Sequence, residues 1–288
     1  MTKLCFTTTG AWDQADGFGC ASLGLAGICA NDTDRCVSRE IPAESVILTG
    51  TYEKLLEDTR LLLQKQPVYA AIVVFGNAGG ENVFLEQLQE FLHCPMVGGG
   101  AAIDGATGRK GLIPGGSEAA MLLFTDDRFC YTTDTLCIHD QVLKICDVRT
   151  DDPRTVVTID GEDAGQFLSR YRATLGLAEG DFEHLTLSNM EDVNAHLSCA
   201  DGKIKSGRDV CSQMKLRYVA HERVYDTMRA FYDDPDAIVC GCAGLSGLLD
   251  RPLDTASLGL FLFGEVCTVN GHGEFGNLML SKLKITRR

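Results

Sequence analysis

A single tryptophan, Trp12, and only 7 prolines are spread over 288 residues. No apolar run reaches the roughly 18 residues that a membrane-crossing helix needs, and the amino end, MTKLCFTTTG, lacks the basic stretch and apolar core of a secretory leader. The expectation is a soluble cytoplasmic chain without membrane insertion. Positive charge is scarce: 26 Lys and Arg against 40 Asp and Glu leave a net charge of -14. An acidic surface is not drawn to a phosphate backbone or an anionic bilayer, so no nucleic-acid partner is expected. Paired cysteine spacing is missing too. The 13 cysteines run from Cys5 to Cys267 without the rhythm of a disulfide framework or a zinc knuckle, which suits small buried apolar residues in a reducing compartment. The 6 histidines form no H-E-x-x-H pair, and His196 with Cys199 falls short of the four ligands a structural zinc needs, so no metal site is expected.

What is present is an ordinary globular mixture of 45% apolar and 23% charged residues, with 31 glycines. Its patterning predicts a mixed α+β fold. Leu55, Leu56, Leu62 and Leu63 share one face of a helix over 52–66, which Pro67 stops. YAAIVVFG (69–76) reads as a buried strand, N-A-G-G as a turn, and 81–92 as a second helix with Phe84, Leu88, Phe91 and Leu92 on one stripe. A short strand at 95–97 then meets Gly98, Gly99 and Gly100, read as a loop opening, and EAAMLLF (118–124) is a strand. Strand patterns on either side of His139, Asp140 and Gln141 predict a hairpin. TVVTI (155–159) is a strand, 161–176 a helix closed by Gly176, and 177–215 short strands and loops.

At 222–233 a helix with Val224, Met228 and Phe231 on one face leads into AIVCGCAG (237–244). A shift of 166 positions lays Ala71, Ile72 and Val73 on Ala237, Ile238 and Val239. Strands LGLFLFGE (258–265) and LMLSKLKI (278–285) follow. The recurring helix, strand and glycine turn suggest two related lobes, each a mixed sheet flanked by helices, divided as 1–128 and 129–288.

Residues without Cβ let backbone amides approach a ligand, so V-G-G-G-A-A can form a carboxylate nest; it can equally be a tight turn beside a packed strand. G-F-G-C-A-S (17–22) imitates a dinucleotide fingerprint, but Ser22 takes the third glycine's place and no apolar strand precedes it. Ser246, with Asp250, Asp254 and His272 downstream, has the residue order of a hydrolase triad but lacks the final glycine of G-x-S-x-G. Cys240 and Cys242 could form a nucleophilic or redox pair; two apart on a strand they would instead share a buried face. A serine- or thiol-dependent hydrolase using Ser246 or Cys242 therefore stays open as an alternative.

In the carboxyl half, V-V-T-I-D-G-E-D-A (156–164), C-A-G-L-S-G-L-L (242–249), F-G-E-V (263–266) and E-F-G-N-L-M-L (274–280) occur in one order. This series resembles the FIST C-terminal domain, and A-I-V-V-F-G with V-G-G-G-A-A resembles the FIST N-terminal domain. Gly276 stands where that family usually has histidine, and Leu245 where it commonly has arginine. The resemblance implies a FIST N-like lobe (1–128) and a FIST C-like lobe (129–288) in an intracellular sensor of small molecules such as amino acids. It implies output through a histidine kinase, a cyclic-dinucleotide enzyme or a chemoreceptor, and no catalytic machinery. Some similar proteins carry haem and sense nitric oxide, so haem is an alternative cofactor. On this reading Asn77, Gly98, Gly99, Gly100, Gly264, Glu265 and Asn277 border one cleft, where glycine amides hold a ligand carboxylate and Glu265 accepts from its ammonium.

Overall fold

The computed structural model describes residues 3–7, 10–13, 17–18, 20–23, 27–31, 36–39, 43–76, 79–100, 117–138, 141–177, 184–200, 202–242, 245, 249 and 258–288; up to residue 39, and at 258–261 and 263, it describes the backbone. In chain order come β1 (Lys3–Thr7), β2 (Gly10–Asp13), β3 (Gly17–Phe18), β4 (Cys20–Leu23), β5 (Gly27–Asn31) and β6 (Cys36–Arg39). Then follow β7 (Ser45–Gly50), α1 (Tyr52–Leu63), β8 (Ala70–Phe75), α2 (Glu81–Gln89), β9 (Met96–Gly100), β10 (Ala119–Phe124) and β11 (Phe129–Cys137). Next are β12 (Gln141–Asp152), β13 (Thr155–Ile159), β14 (Glu162–Asp163), α3 (Ala164–Leu175), β15 (Leu185–Ser188), β16 (Asn194–Ala200), β17 (Lys203–Ser206) and β18 (Gln213–Tyr218). The chain closes with α4 (Val224–Tyr232), β19 (Ala237–Cys242), β20 (Leu258–Val269), β21 (His272–Gly276) and β22 (Met279–Arg287). Helices and strands in several sheets make this the expected mixed α+β fold. Among the described residues no helix is long and apolar enough to cross a membrane.

The chain divides into two compact units, and the division differs from a cut between 128 and 129. One unit holds 1–136, 225–275 and 280–288; the other holds 137–224 and 276–279. Both copies of the helix-and-strand repeat fall in the first unit. The main path of its 11-stranded sheet runs β11-β22-β19-β20-β9-β8-β10-β7, with β2 and β21 pairing β20 and β3 pairing β2 off that path. Read from its two ends toward the middle, this order places equivalent strands symmetrically: β7 with β11, β10 with β22, β8 with β19, β9 with β20. β8 and β9 are parallel, as are β19 and β20, while β9 meets β20 antiparallel at the centre. The repeat therefore builds the two halves of one sheet and not two separate lobes. Burying one half against the other removes more apolar surface from water than two exposed sheets would.

Alternation along the strands sorts side chains to two faces. Ala70, Ile72, Val74, Val97, Ala120 and Leu122 form one core with Ile238, Cys240, Leu262 and Leu283, so the two halves pack face to face. On the other face of the first half, Ala71, Val73, Phe75, Met121 and Leu123 meet Leu55 and Leu56 of α1 and Phe84, Leu85 and Leu88 of α2. Thr51 starts α1 by accepting from the Lys54 amide at 3.3 Å, a cap worth about 1 kcal/mol. Edge-on contacts of Phe75 with Phe84 and Phe275, at 6.0 and 5.6 Å between centroids, lock the layers.

In the second unit β12 bonds β18 through its first half and β13 through its second, so the order β12-β18-β15-β16-β17-β13 closes on itself. Phe167 and Leu168 of α3 pack among Val148, Ile159, Leu187, Leu197 and Leu216. The helix over 161–176 is present with Gly176 as its left-handed cap, and 177–215 contributes strands of this ring. Among the described residues β11 and β12 do not make with each other the pairing that the hairpin expected around residues 139–141 requires. β11 pairs β22, whereas β12 pairs β18 and β13, because the chain changes units between them.

A turn after β10 is held by charge. Asp126, buried, accepts from the Arg128 Nε at 2.8 Å and Nη2 at 2.7 Å, and from the Glu44 amide. These bonds hold its carboxyl well below the usual carboxylate range, hydrogen bonds from Arg128 being the largest cause. A carboxyl lowered in the folded state stabilises above its unfolded value, near pH 4, and loses that contribution as pH falls. Asp126→Asn is expected to flatten the loss of thermal stability between about pH 4 and pH 2, measured by calorimetry against the parent chain.

Candidate functional site

Of the seven site residues expected from sequence, Gly98, Gly99, Gly100, Gly264 and Glu265 lie where the two half-sheets meet. Gly98, Gly99 and Gly100 form most of β9, not a loop, and lie between β8 and β20, with Gly99 opposite Val74 on one side and Glu265 on the other. Gly98 has φ 140 and Gly99 φ 155. A Cβ on Gly98 would come within 1.8 Å of the Val73 carbonyl oxygen, and one on Gly99 within 2.1 Å of the Gly264 oxygen. Missing side chains here serve strand-to-strand approach, which corrects the expectation of an open turn. Gly98 and Gly99 pair with β8 on one side and β20 on the other, so their backbone is taken up by the sheet and not by a carboxylate nest.

Across the seam β20 bulges. The register shifts between Phe263 and Glu265, and Gly264 takes φ 72 with the Phe275 ring where its Cβ would lie, 2.3 Å away. A glycine at the first bulge position is the usual solution, because it tolerates positive φ. The bulge re-aims Glu265 inward, where it is fully buried.

Two groups with titratable protons, Tyr232 and Cys240, lie within electrostatic reach of that carboxylate. Tyr232, at the end of α4, is fully buried and donates to the Cys240 carbonyl oxygen at 3.0 Å. Burial first, then the charges of Cys240 and Glu265, push its phenol well above the ordinary range. Cys240 is pushed up to about 12 by burial and by Glu265. Cys242 is buried on the same strand. Gly241 between them is obligatory, since a Cβ there would stand 2.5 Å from the Tyr232 hydroxyl. Tyr232 and Cys240 therefore keep their protons at neutral pH. Cys240 is a thiol, not a nucleophilic thiolate.

The structure thus brings Gly98, Gly99, Gly100, Gly264 and Glu265 together. Asn77 and Ser246 lie outside the described residues. Asn277 belongs to the second unit, where its Oδ1 accepts from the His196 amide at 3.3 Å and its own amide donates to the Asn194 oxygen at 2.9 Å. Gly207 must lack a side chain because the Asn277 amide group fills that place. Asn277 there ties the short 276–279 segment into its unit. Sequence reasoning overlooked Tyr232, a helical residue carrying no motif, and Glu118 and Glu81. Glu118 accepts from the Tyr52 amide at the start of α1, and Glu81 from the Gly79 amide just before α2. The chain's own carboxylates thereby occupy both helix N-termini, the places where an anion would otherwise bind.

A haem requires an axial ligand facing a wide apolar slot. A groove of about 370 Å³ is lined by Ala43, Glu44, Ser45, Val46, Gln66 and Thr125 and offers no axial ligand. Cys240 and Cys267 are enclosed in the core, and the His184 and His221 rings are stacked on each other 3.5 Å apart. These described residues do not fit haem. Among the described residues no cluster of three or more His, Cys, Asp or Glu is placed to hold a metal ion.

Compared with models of known protein families and with curated proteins, the chain matches none.

Thiol chemistry follows from burial. With iodoacetamide at mildly alkaline pH, Cys130, Cys199 and Cys211, which are exposed, are expected to be alkylated in the native protein while Cys240 is spared until the protein unfolds; peptide mapping by mass spectrometry reads both. For the backbone seam, Gly98→Ala should lower stability by about 3 kcal/mol or more from overpacking and lost positive φ, whereas Gly161→Ala, with φ 79 and open space around its Cβ position, should cost only about 1 kcal/mol. Urea unfolding midpoints compare the two.

Proposed function

We propose that this chain is a small-molecule sensor of the FIST type, binding an amino-acid-like metabolite and passing the signal to a separate protein. The observation that supports this reading is Glu265, a carboxylate with no exposed surface, at the bulge where the strands of both repeats end. β9 runs to Gly100, opposite Phe263, and β19 runs from the other direction to Cys242, opposite Leu262. Two sets of carboxyl strand ends thus point at neighbouring residues of β20. Ligands of α/β sheets gather at such places, where the connectivity reverses.

Burying a carboxylate costs several kcal/mol unless a cation or donors compensate it. A ligand ammonium accepted by Glu265 adds that compensation, as the sequence reading assigned. The ligand carboxylate is the part that changes. Gly98 and Gly99 are committed within the sheet, which leaves Gly100, at the less buried end of β9, as the glycine positioned to meet it. The output partner on this reading is a histidine kinase, a cyclic-dinucleotide enzyme or a chemoreceptor, the kinds that the FIST resemblance implies.

A thermal-shift screen of amino acids and related amines tests the proposal. A ligand at about 100 times its dissociation constant should add about 2.7 kcal/mol of stability, and Glu265→Gln should remove that gain for ligands bearing an ammonium. A flat screen of the parent protein, or an equal gain in Glu265→Gln, rejects it.

A further inference from the structure

The first unit's sheet ends, among the described residues, in a strand without the usual safeguards of an edge. Among the described residues β7 bonds only β10. The Glu44 oxygen accepts from the Thr125 amide and the Gly50 oxygen from the Glu118 amide, each at 3.0 Å. Since backbone polar groups alternate sides along a strand, Glu44, Val46, Leu48 and Gly50 address β10, and Ser45, Ile47 and Thr49 turn theirs outward. Natural edges are protected by charge, proline, a bulge or a covering element. Ser45–Gly50 reads SVILTG, with no charge and no proline, and its register with β10 runs without a shift. Its apolar residues Val46, Ile47 and Leu48 are only half-buried.

We propose that two copies of this chain join through β7, antiparallel about a two-fold axis through Ile47. Of the registers available to a self-pairing strand, this one places the outward backbone groups of Ile47 opposite those of its equivalent and those of Ser45 opposite Thr49, so donors meet acceptors throughout. The side chains then match without further adjustment. Ile47 meets Ile47, Ser45 meets Thr49, and Val46 meets Leu48, each a favourable cross-strand pair. At the ends Glu44 of one copy lies opposite Gly50 of the other. A Cβ on Gly50 would touch the Lys54 side chain, whose Cδ is 3.0 Å from that position, so Lys54 covers the face to which Glu44 of the second copy is brought. Both side chains are exposed, Lys54 at 57% beside its partner Asp58 and Glu44 at 77% beside its partner Arg128, and their opposite charges let the contact join these two surface ion pairs. That complementarity selects a second copy over an unrelated strand, which would have to supply the same apolar and charged sequence. An isologous pairing of this kind closes at two copies and does not propagate through this edge.

Sedimentation equilibrium of the full chain across micromolar concentrations tests the pairing. A monomer–dimer equilibrium is expected. Thr49→Pro, which deletes an outward donor but no bond to β10, should weaken it at least about tenfold. Glu44→Lys should weaken it as well by setting like charges together, and the double variant Glu44→Lys, Lys54→Glu should restore it. Circular dichroism checks that each variant is folded. A parent chain that remains monomeric throughout, or a dimer indifferent to Thr49→Pro and to the charge exchange, overturns the proposal.

Discussion

Everything in the first unit depends on one backbone contact, the antiparallel approach of Gly98–Gly100 to β20 at the Gly264 bulge. Two half-sheets of similar build can share a seam only if the central strands come together and still let the sheet turn back so that its faces pack. Side chains at Gly98 and Gly99 would collide with carbonyl oxygens, so the closeness is purchased by leaving them out. The bulge then does two things. It supplies local twist at the place where the sheet reverses on itself, and it turns Glu265 into the interior. The unusual buried carboxylate is thus a geometric consequence of how the halves are joined.

That carboxylate shapes the chemistry around it. Beside a negative charge in a low dielectric, neither a phenolate nor a thiolate is favoured, and Tyr232 and Cys240 hold their protons more firmly than they would in water. Cys240 in this setting is a poor nucleophile. Acidic side chains also stand at the starts of both helices beside β8. The buried Glu265 and the acidic helix starts of the first unit thus carry the same sign of charge.

The second unit solves a different problem. A single antiparallel sheet leaves two edges, and the ring formed by β12 pairing both β18 and β13 removes them. Within it the ionic cluster of Arg217 and Lys215 on Asp192 holds a turn whose φ of 69 is unfavourable for a non-glycine residue, and Arg217 also donates to the buried Ser188 hydroxyl at 2.6 Å. Asn194 and Asn277 bind the 276–279 segment to the same unit through the Leu278 and Asn194 carbonyl oxygens. A short stretch late in the chain thereby joins a body otherwise made from 137–224.

Local signals in the sequence determined the elements: apolar stripes marked α1, α2, α3 and α4, uninterrupted apolar runs marked β8, β10 and β19, and the shift of 166 positions exposed the repeat. Those signals are short-range, because helix and strand periods depend on residues a few positions apart. Only the tertiary structure decided that the two copies share one sheet, that Gly98 and Gly99 are strand residues, and that Asn277 bonds within the second unit. Each of these turns on pairing between residues distant in the chain. Isolated glycine text is identical for a turn that grips a ligand and for a strand that admits its neighbour, and what differs is the backbone lying 2 Å from the missing Cβ.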